Sequence, residues 1–408
     1  MDTAAAPRPG RHAPIVLDPF GRDQHAENAR LRAAGPAVLV ELPGGVVVWA
    51  ITRHDTLQQL LADPRVGKNP HLWTTFTEGR LPEGWPLLNF VTVPGMITAD
   101  GDEHRRLRSL VVQAFTPRRI AELQPAIEGR TAALLDEVAL LEGEFDLREH
   151  FAYPLPMQVI GALLGLPPRQ QDELHTLSDT LVSSSATPQA AVAAQRGLFA
   201  LLASVVAAKR ADPGDDLTTD LIAAREADDR LTEEELVGTL LLMLIAGHET
   251  TLNLITNAVR ALLAHPEQLR LVLDGEQPWS AVIEETLRYD SPVGQFPLRY
   301  AVEDIEVGDV LIRRGEALLA SYASAGRDEE HFENAAAFDV TRHGARHLSL
   351  GHGPHFCLGA GLARLEAETA LRGLFGRFPG LAAADGPAPE PIGSFVSNSV
   401  RTLPVRLR

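Results

Sequence analysis

The stretch Leu350-Gly351-His352-Gly353-Pro354-His355-Phe356-Cys357-Leu358-Gly359 contains the only cysteine of this 408-residue chain. Its three glycines allow the backbone to reach positive φ and to approach a flat group closely. Ala360 to Leu374 have a helical composition, so Cys357 lies just before a predicted helix. Amides and the dipole at a helix start favour an anion, which predicts a lowered pKa for this thiol. A thiolate binds iron, so the loop indicates a metal ligand rather than a cysteine packed as a small hydrophobic residue.

Composition limits the class of protein. The chain is 45% hydrophobic and carries a formal charge of −17, which argues against a nucleic-acid partner. A single cysteine excludes an internal disulfide and indicates a reducing compartment. Neither a run of about 18 apolar residues nor a signal peptide is evident, so we expect a cytoplasmic protein with no membrane partner. We expect a flexible tail over residues 1–14 and, in the absence of repeats or long linkers, a single domain over residues 15–408.

The residue patterns predict a mostly α protein with a small β region, which is an α+β fold class. Most of residues 103–289 has helical character. Strand-forming residues cluster at 37–52, around the turn Pro43-Gly44-Gly45, and again at 298–322.

One predicted helix is long and buried. It begins at Thr232, which forms a capping box with Glu235, and it ends before His265-Pro266. Its apolar run is interrupted by Ala246-Gly247-His248-Glu249-Thr250-Thr251. A buried charge costs several kcal/mol unless it is satisfied or used. The hexapeptide is therefore either a satisfied polar pocket in the core or an acid–alcohol pair with a chemical role.

These motifs together resemble those of the cytochrome P450 family. The cysteine loop is similar to the family's Phe-Gly-x-Gly-x-His-x-Cys-x-Gly, with Leu350 in place of the Phe. The hexapeptide is similar to (Ala/Gly)-Gly-x-(Glu/Asp)-Thr, and Glu285-Thr286-Leu287-Arg288 matches Glu-x-x-Arg on a predicted helix, Trp279–Tyr289. The basic residue that precedes Phe-Asp in many relatives is Ala337 here, so another Arg is expected to complete that network.

The resemblance implies the P450 fold, a single triangular prism-like domain with haem b between the long central helix and the cysteine loop. It implies that Cys357 binds the haem iron and that Glu249 and Thr250 deliver protons to O2. The remaining cofactor contacts that it implies are Ala246 and Gly359, with the propionates held by His104, Arg108, Arg299 and His355.

The resemblance further implies a haem-thiolate monooxygenase that receives electrons from a separate ferredoxin and its reductase. Its substrate is expected to be bulky, neutral and hydrophobic, such as a macrolactone, a steroid or a cyclic dipeptide. Radical coupling of an aromatic substrate is the alternative outcome. Two other classes remain open: a non-catalytic haem-binding or sensing protein, and a hydrolase that uses Cys357 with His355.

Two further sets of residues complete the predictions. An acidic ferredoxin is attracted only by a local basic patch on this acidic protein. The candidates for that patch are Arg105, Arg106, Arg118, Arg119 and Arg364. Gln295 and Asn398 are the polar candidates for orienting a substrate. The apolar candidates for the substrate pocket are Trp73, Phe76, Trp85, Leu88, Phe90, Leu181, Leu242, Val293, Phe296, Phe395 and Val396.

Overall fold

The computed structural model describes residues 13–85, 87–182, 187–228, 231–344 and 346–407. Residues 1–12 of the predicted tail lie outside this range. The helices are α1 Gln24–Ala34, α2 His54–Ala62, α3 Thr74–Thr77, α4 Leu88–Thr92, α5 Gly101–Val111, α6 Pro117–Val138, α7 Pro154–Leu163, α8 Gln171–Val182, α9 Pro188–Ala211, α10 Leu217–Asp228, α11 Glu233–Ala264, α12 Pro266–Leu273, α13 Trp279–Tyr289, α14 Tyr322–Gly326 and α15 Ala360–Arg377.

The strands are short and come from distant parts of the chain. They are β1 Ile15–Val16, β2 Ala37–Leu42, β3 Val46–Ile51, β4 Val66–Gly67, β5 Glu144–Asp146, β6 Phe296–Ala301, β7 Ile305–Val307, β8 Val310–Ile312, β9 Ala317–Ala320, β10 Ala382–Ala383 and β11 Pro404–Arg406. A six-stranded sheet has the order β1-β2-β3-β9-β6-β4, a three-stranded sheet has the order β10-β11-β5, and β7 pairs with β8. The predicted fold class, mostly α with a small β region, is confirmed.

The predicted hairpin is formed by β2 and β3, with Ala37 opposite Ile51 and Leu42 opposite Val46. Gly44 and Gly45 in its turn have φ of 87° and 83°, a conformation that most other residues avoid. β3 then pairs in parallel with β9, which pairs antiparallel with β6. The sheet therefore brings the segment around residue 50 beside the segment around residue 300.

The long central helix α11 has 32 residues, and its capping box is present as predicted. The amide of Glu235 donates to Thr232 Oγ1 at 3.1 Å, and the amide of Thr232 donates to Glu235 Oε2 at 2.7 Å. The helix ends at Ala264 with His265 as its C-cap, because Pro266 disfavours a helical conformation at the residue before it.

The two halves of α11 pack in different cores. Leu236, Leu240 and Leu244 belong to a cluster with α9 and α10, whereas Ile255 and Val259 belong to a cluster with α6, α13 and α15. The polar residues 246–251 lie between the two clusters. The chain thus leaves the middle of its longest helix free to face a cavity.

Two helices are long and apolar enough to cross a membrane by length and composition alone, namely Gln189–Ala211 and Glu233–Ala264. The prediction that no segment would reach this level is therefore wrong. In the second helix, 72% of the apolar window is buried inside the protein, as in the core helix of a globular domain. Such helices are weak evidence for a membrane span.

Candidate active site

The cysteine loop is a tight turn that packs against α2. Gly351 and Gly353 have φ of 74° and 72°, and a Cβ on Gly353 would lie 2.7 Å from the carbonyl oxygen of Leu61. The amide of Cys357 donates to the carbonyl oxygen of Leu350 at 2.8 Å. Glycine is therefore required at residue 353, and the turn presents the Cys357 side chain to an internal cavity.

The pKa of the Cys357 thiol differs from the sequence-based expectation. Burial raises this pKa, whereas the Gly359 amide and the nearby Arg108 and Arg364 act in the opposite direction without outweighing burial. The expectation that the helix start alone lowers the pKa is wrong. A bound metal ion deprotonates a coordinating thiol through its own charge.

The opposite wall of the cavity is the middle of α11. Ala246, Gly247, Thr250 and Thr251 line it. The Thr250 hydroxyl donates to the carbonyl oxygen of Ala246 at 2.6 Å, a bond that tends to bend a helix. A Cβ on Gly247 would lie 2.9 Å from Ile160 Cδ1, so glycine here permits the close approach of α7. Cys357 and Thr250, 107 positions apart in the sequence, thus line one cavity.

Glu249 is turned away from this cavity. It is 7% exposed, accepts a hydrogen bond from Asn253 Nδ2 at 3.2 Å and lies 3.7 Å from Arg148 Nη2. Arg148 Nη1 also donates to Asn253 Oδ1 at 2.9 Å. Sequence reasoning missed Arg148, since a lone Arg far from the hexapeptide carries no signal of this contact.

His248 of the same hexapeptide belongs to a buried aromatic group. Its ring contacts those of Tyr153 and His175, and burial lowers its pKa well below the ordinary value. This imidazole is therefore neutral and has a packing role.

A group of basic side chains lines one side of the cavity. His104, Arg108, Arg299 and His355, all predicted from the sequence, line the cavity together. The rings of His104 and His355 are 4.2 Å apart. Burial and the neighbouring cations lower the pKa of His355 to about 2. Among the described residues, His104 Nε2 has no hydrogen-bond partner.

Lys68 is a fifth member of this basic group, and sequence reasoning missed it. It is 5% exposed, and its ammonium donates to the carbonyl oxygen of Leu298 at 2.8 Å and lies 5.0 Å from the ring centre of Phe296. Burial, followed by repulsion from Arg299, lowers its pKa well below the ordinary value. The sequence offers only an isolated lysine after Gly67.

This basic group fits a ligand that carries two carboxylates. Arg108 and Arg299 bring positive charge to the cavity, and Arg299 is 8% exposed, so its charge is costly unless an anion compensates it. Among the described cavity-lining residues the only carboxylate is Glu366, and burial raises the pKa of this carboxyl well above its ordinary value, which disfavours its charged form. The propionates of haem b would supply the missing charges and a partner for His104. The chain's own residues therefore fit this cofactor.

The Glu-x-x-Arg pair supports the cysteine side of the cavity. Arg288 and Glu285 form two hydrogen bonds, at 2.8 and 2.7 Å, and are 1% and 4% exposed. Arg288 also donates to the carbonyl oxygens of Gly326, Ala335 and Ala337, each within 2.8 Å. Arg342, 3.4 Å from Glu285, is the additional arginine that the sequence left unidentified.

Only part of the predicted substrate pocket lies at the cavity wall. Leu242, Val293 and Phe296 line it, and so do Met96, Ile97, Met243 and Pro292, which were not predicted. The Leu181 side chain lies outside the described residues. The other apolar candidates pack in the hydrophobic core beside the large sheet, namely Trp73, Phe76, Trp85, Leu88, Phe90, Phe395 and Val396.

The two polar candidates for substrate orientation are engaged elsewhere. Gln295 is 1% exposed and accepts a hydrogen bond from Ser321. Asn398 donates to the Asp290 carboxylate at 2.8 Å and to the carbonyl oxygen of Ser291 at 3.0 Å. Neither side chain lines the cavity.

The arginines predicted to attract a redox partner all lie close to carboxylates. Arg105 pairs with Asp102, Arg106 with Glu235, and Arg118 and Arg119 with Glu122. Arg364 pairs with Glu284 at 2.6 Å. The net positive charge of this surface is therefore smaller than the sequence indicated.

Comparisons with known proteins agree with this geometry. A family model described as Cytochrome P450 matches residues 279–401. The chain is 41% identical to 2-hydroxy-5-methyl-1-naphthoate 7-hydroxylase of Streptomyces carzinostaticus, over 97% of this chain and 98% of that protein. It is 39% identical to vitamin D(3) 25-hydroxylase of Pseudonocardia autotrophica, over 90% and 89% of the two chains. The solved structure of CYP154A1 from Streptomyces coelicolor A3(2) matches with a TM-score of 0.93 and 47% identity, covering 97% of this chain and 100% of that one.

Proposed function

The chain belongs to the cytochrome P450 family, and we propose that this monooxygenase oxidises a bulky, neutral, hydrophobic natural product. Its cofactor is haem b with a cysteine thiolate as axial ligand. We propose Cys357, the only cysteine, as that ligand, and residues 15–408 as a single domain. When bound, the haem supplies the oxygen-activating chemistry, and the thiolate favours O–O cleavage.

The basic group has a binding role in this proposal. His104, Arg108, Arg299 and His355, with Lys68, would hold the propionates and so fix the position of the cofactor in the cavity. Ala246 and Gly359 line the same cavity, and their small size permits close contact with a flat ring system.

Thr250 and Glu249 have separate roles in proton delivery. The Thr250 hydroxyl already donates to Ala246, so its oxygen is left as an acceptor that can hold a water molecule in the cavity. Glu249 accepts from Asn253 and lies near Arg148, which is 13% exposed at its side chain. We infer that Glu249 carries protons from the Arg148 side of the helix to the water at Thr250.

The observation that carries the substrate class is the apolar character of much of the cavity lining. Met96, Ile97, Leu242, Val293 and Phe296 line the cavity, and the middle of α11 contributes the hydroxyls of Thr250 and Thr251. The cations of the cavity are occupied if they hold the propionates, so none is left for a substrate carboxylate. Such a wall selects neutral, hydrophobic molecules.

The relatives support a large hydrophobic substrate, since the name of one of them specifies vitamin D3. Another is named for a naphthoate, which is aromatic and anionic. A naphthoate therefore tests whether the cavity of this protein accepts only neutral substrates. We expect low-to-high-spin shifts of the haem spectrum with neutral steroids, macrolactones or aromatic cyclic dipeptides. We expect no shift with benzoate or 1-naphthoate at the same concentrations. Tight binding of either carboxylate would contradict the proposal.

Product analysis in a reconstituted reaction distinguishes the possible outcomes. Hydroxylation adds one oxygen atom to the substrate, whereas coupling of an aromatic substrate joins two carbon atoms and adds none. We propose hydroxylation. An oxygen-free coupled product formed in stoichiometric yield would overturn that choice.

We propose that electrons come from a separate ferredoxin and its reductase in the cytoplasm. Arg105 and Arg118 are the most exposed of the candidate arginines, with side chains 71% and 89% exposed. Charge reversal at both should slow reduction by an acidic ferredoxin at low salt and leave reduction by dithionite unchanged. Arg364→Glu is less suitable because it also breaks the pair with Glu284. Equal loss with both reductants would indicate damage to the fold.

A further inference from the structure

A cluster of two histidines and an aspartate lies outside the cavity. His54 and Asp55 begin α2, and His331 follows α14. Asp55 Oδ1 is 3.0 Å from His54 Nδ1 and 2.8 Å from His331 Nδ1, and the two rings are stacked with centres 3.5 Å apart. One carboxylate oxygen therefore faces the imidazole nitrogens of two histidines that are 277 positions apart in the sequence.

The other nitrogen of His54 also faces an acceptor. His54 Nε2 is 2.7 Å from the carbonyl oxygen of Arg346, and the His54 side chain is 1% exposed. A neutral imidazole donates from one nitrogen only, so donation to this carbonyl leaves a lone pair on Nδ1, directed at Asp55. A lone pair facing a carboxylate requires a positive ion between them, which is either a proton or a metal ion.

We propose that His54, Asp55 and His331 bind one divalent zinc ion. Imidazole and carboxylate groups are common zinc ligands, and a metal-binding histidine commonly donates its other N–H to a backbone carbonyl, as His54 does to Arg346. Two ligands of a tetrahedral zinc ion lie about 3.3 Å apart, close to the separations of 3.0 and 2.8 Å seen here.

Two features of the surroundings bear on this site. The stacked His331 ring must rotate to direct its Nδ1 lone pair at the ion, and this side chain is 31% exposed. The neighbouring Arg53 pairs with Asp328 at 2.6 Å and with Glu330 at 2.8 Å, so its positive charge is offset. The net charge of the whole chain also favours a cation.

Zinc at this site would tie α2 to the segment after α14. Through His54 it would also reach Arg346, in the segment that leads to the cysteine loop. Because the unfolded chain does not assemble these ligands, binding stabilises the folded protein, and its melting temperature rises with zinc concentration. The site is separate from the cavity and does not depend on the proposed substrate.

The test uses the haem-loaded protein. A chelator first removes metal ions other than the haem iron, and the protein is then titrated with zinc chloride in a calorimeter. We expect one zinc ion per chain in the wild type and in the control His71→Ala, which removes an exposed histidine elsewhere. We expect the zinc affinity of His331→Ala and of Asp55→Asn to be at least about 100-fold lower than that of the wild type. A loss of this size exceeds the loss that follows from removing a residue that only hydrogen-bonds to a metal ligand. Both changes are at side chains that are not buried, so the fold should persist.

The haem spectrum and the melting temperature complete the test. An unchanged Soret band during titration shows that zinc does not act at Cys357. Zinc should raise the melting temperature of the wild type and not that of His331→Ala. Equal binding by all variants, or no binding by the wild type, would overturn the proposal and leave a proton as the ion shared by the cluster.

Discussion

Two glutamate–arginine pairs lie beside the cavity, and they differ in the distance between the two charged groups. Glu285 and Arg288 are paired at 2.7 Å, and three backbone carbonyls accept the remaining Arg288 donors. Glu249 and Arg148 are 3.7 Å apart and share Asn253. The first pair rigidly joins α13 to the segment after α14. The longer distance in the second pair is compatible with the proton-transfer role proposed for Glu249.

Arg288→Met should cause the largest loss of stability. It leaves the Glu285 charge and three carbonyls without their main partner inside the protein, a change that costs about 3–5 kcal/mol. Denaturant unfolding of the haem-loaded protein measures this cost, and haem retention gives a second readout. Arg288→Lys is the matched control, since it keeps the charge and loses the two-pronged geometry. A cost below about 1 kcal/mol would show that the pair is not a scaffold.

Thr250→Ala tests the site next to the looser pair. We expect haem and substrate binding to persist, and product formation to fall about 100-fold, within the usual contribution of acid–base catalysis. Consumed oxygen should appear largely as hydrogen peroxide. Thr251→Ala is the matched control, because Thr251 also lines the cavity. The reverse result, with coupling lost only in the Thr251 variant, would assign the role to Thr251.

Arg148→Met tests how much the longer Glu249–Arg148 pair contributes to stability and to turnover. Glu249 keeps its hydrogen bond from Asn253, so we expect a stability cost of about 1–2 kcal/mol, smaller than that of Arg288→Met. Turnover should slow and its solvent isotope effect should increase, since the proton path loses its more exposed end. If the two arginine substitutions destabilise the protein equally, the contrast between the pairs is wrong.

Arg342→Met examines the arginine that accompanies the tight pair. Its ion pair with Glu285 is 3.4 Å long, and Arg288 already satisfies that carboxylate. Arg342 also donates to the carbonyl oxygens of Glu333 and Asn334, at 2.6 and 3.3 Å. We therefore expect a loss of about 1 kcal/mol in the free energy of unfolding, the usual net contribution of such hydrogen bonds. A loss as large as that for Arg288→Met would make Arg342 an equal member of the network.

The smallest expected effect is a pH dependence of the free energy of unfolding that comes from Glu284, which lies on α13 beside Glu285. Burial alone would raise its pKa, but hydrogen bonds from His347 and Arg364 outweigh burial and lower the pKa to about 2. This stabilisation is present above the unfolded value of 4.5 and is lost as the pH falls through about 2. Glu284→Gln should flatten the decrease in unfolding free energy across this window, measured by urea unfolding. An unchanged slope would show that other groups cause it.

The local features of this protein were predictable because neighbouring residues determine them. The capping box of α11, its end before Pro266 and the β2–β3 hairpin depend on backbone preferences over a few positions. The cysteine loop was predictable for the same reason, since its glycines and Cys357 form one short motif. The basic group required more than local pattern, and the family resemblance supplied four of its five members.

Residues whose role depends on distant partners were not predictable in this way. Lys68 and Arg148 carry no motif, and they reach the cavity or Glu249 only because the sheet and the helices bring their segments there. Most aromatic pocket candidates pack against the sheet, since hydrophobicity alone does not distinguish a cavity wall from a core.

The sequence by itself determined the family and therefore the cofactor, which binds between α11 and the cysteine loop. It also determined the positions of those helices and strands that short motifs specify. Only the tertiary structure decided which charges are neutralised and which side chains face the cavity. It also buries Cys357 and thereby raises the pKa of its thiol. The physical reason is range. Hydrogen bonds along the backbone act between neighbours in the chain, whereas burial and electrostatic interactions depend on every segment that packs nearby.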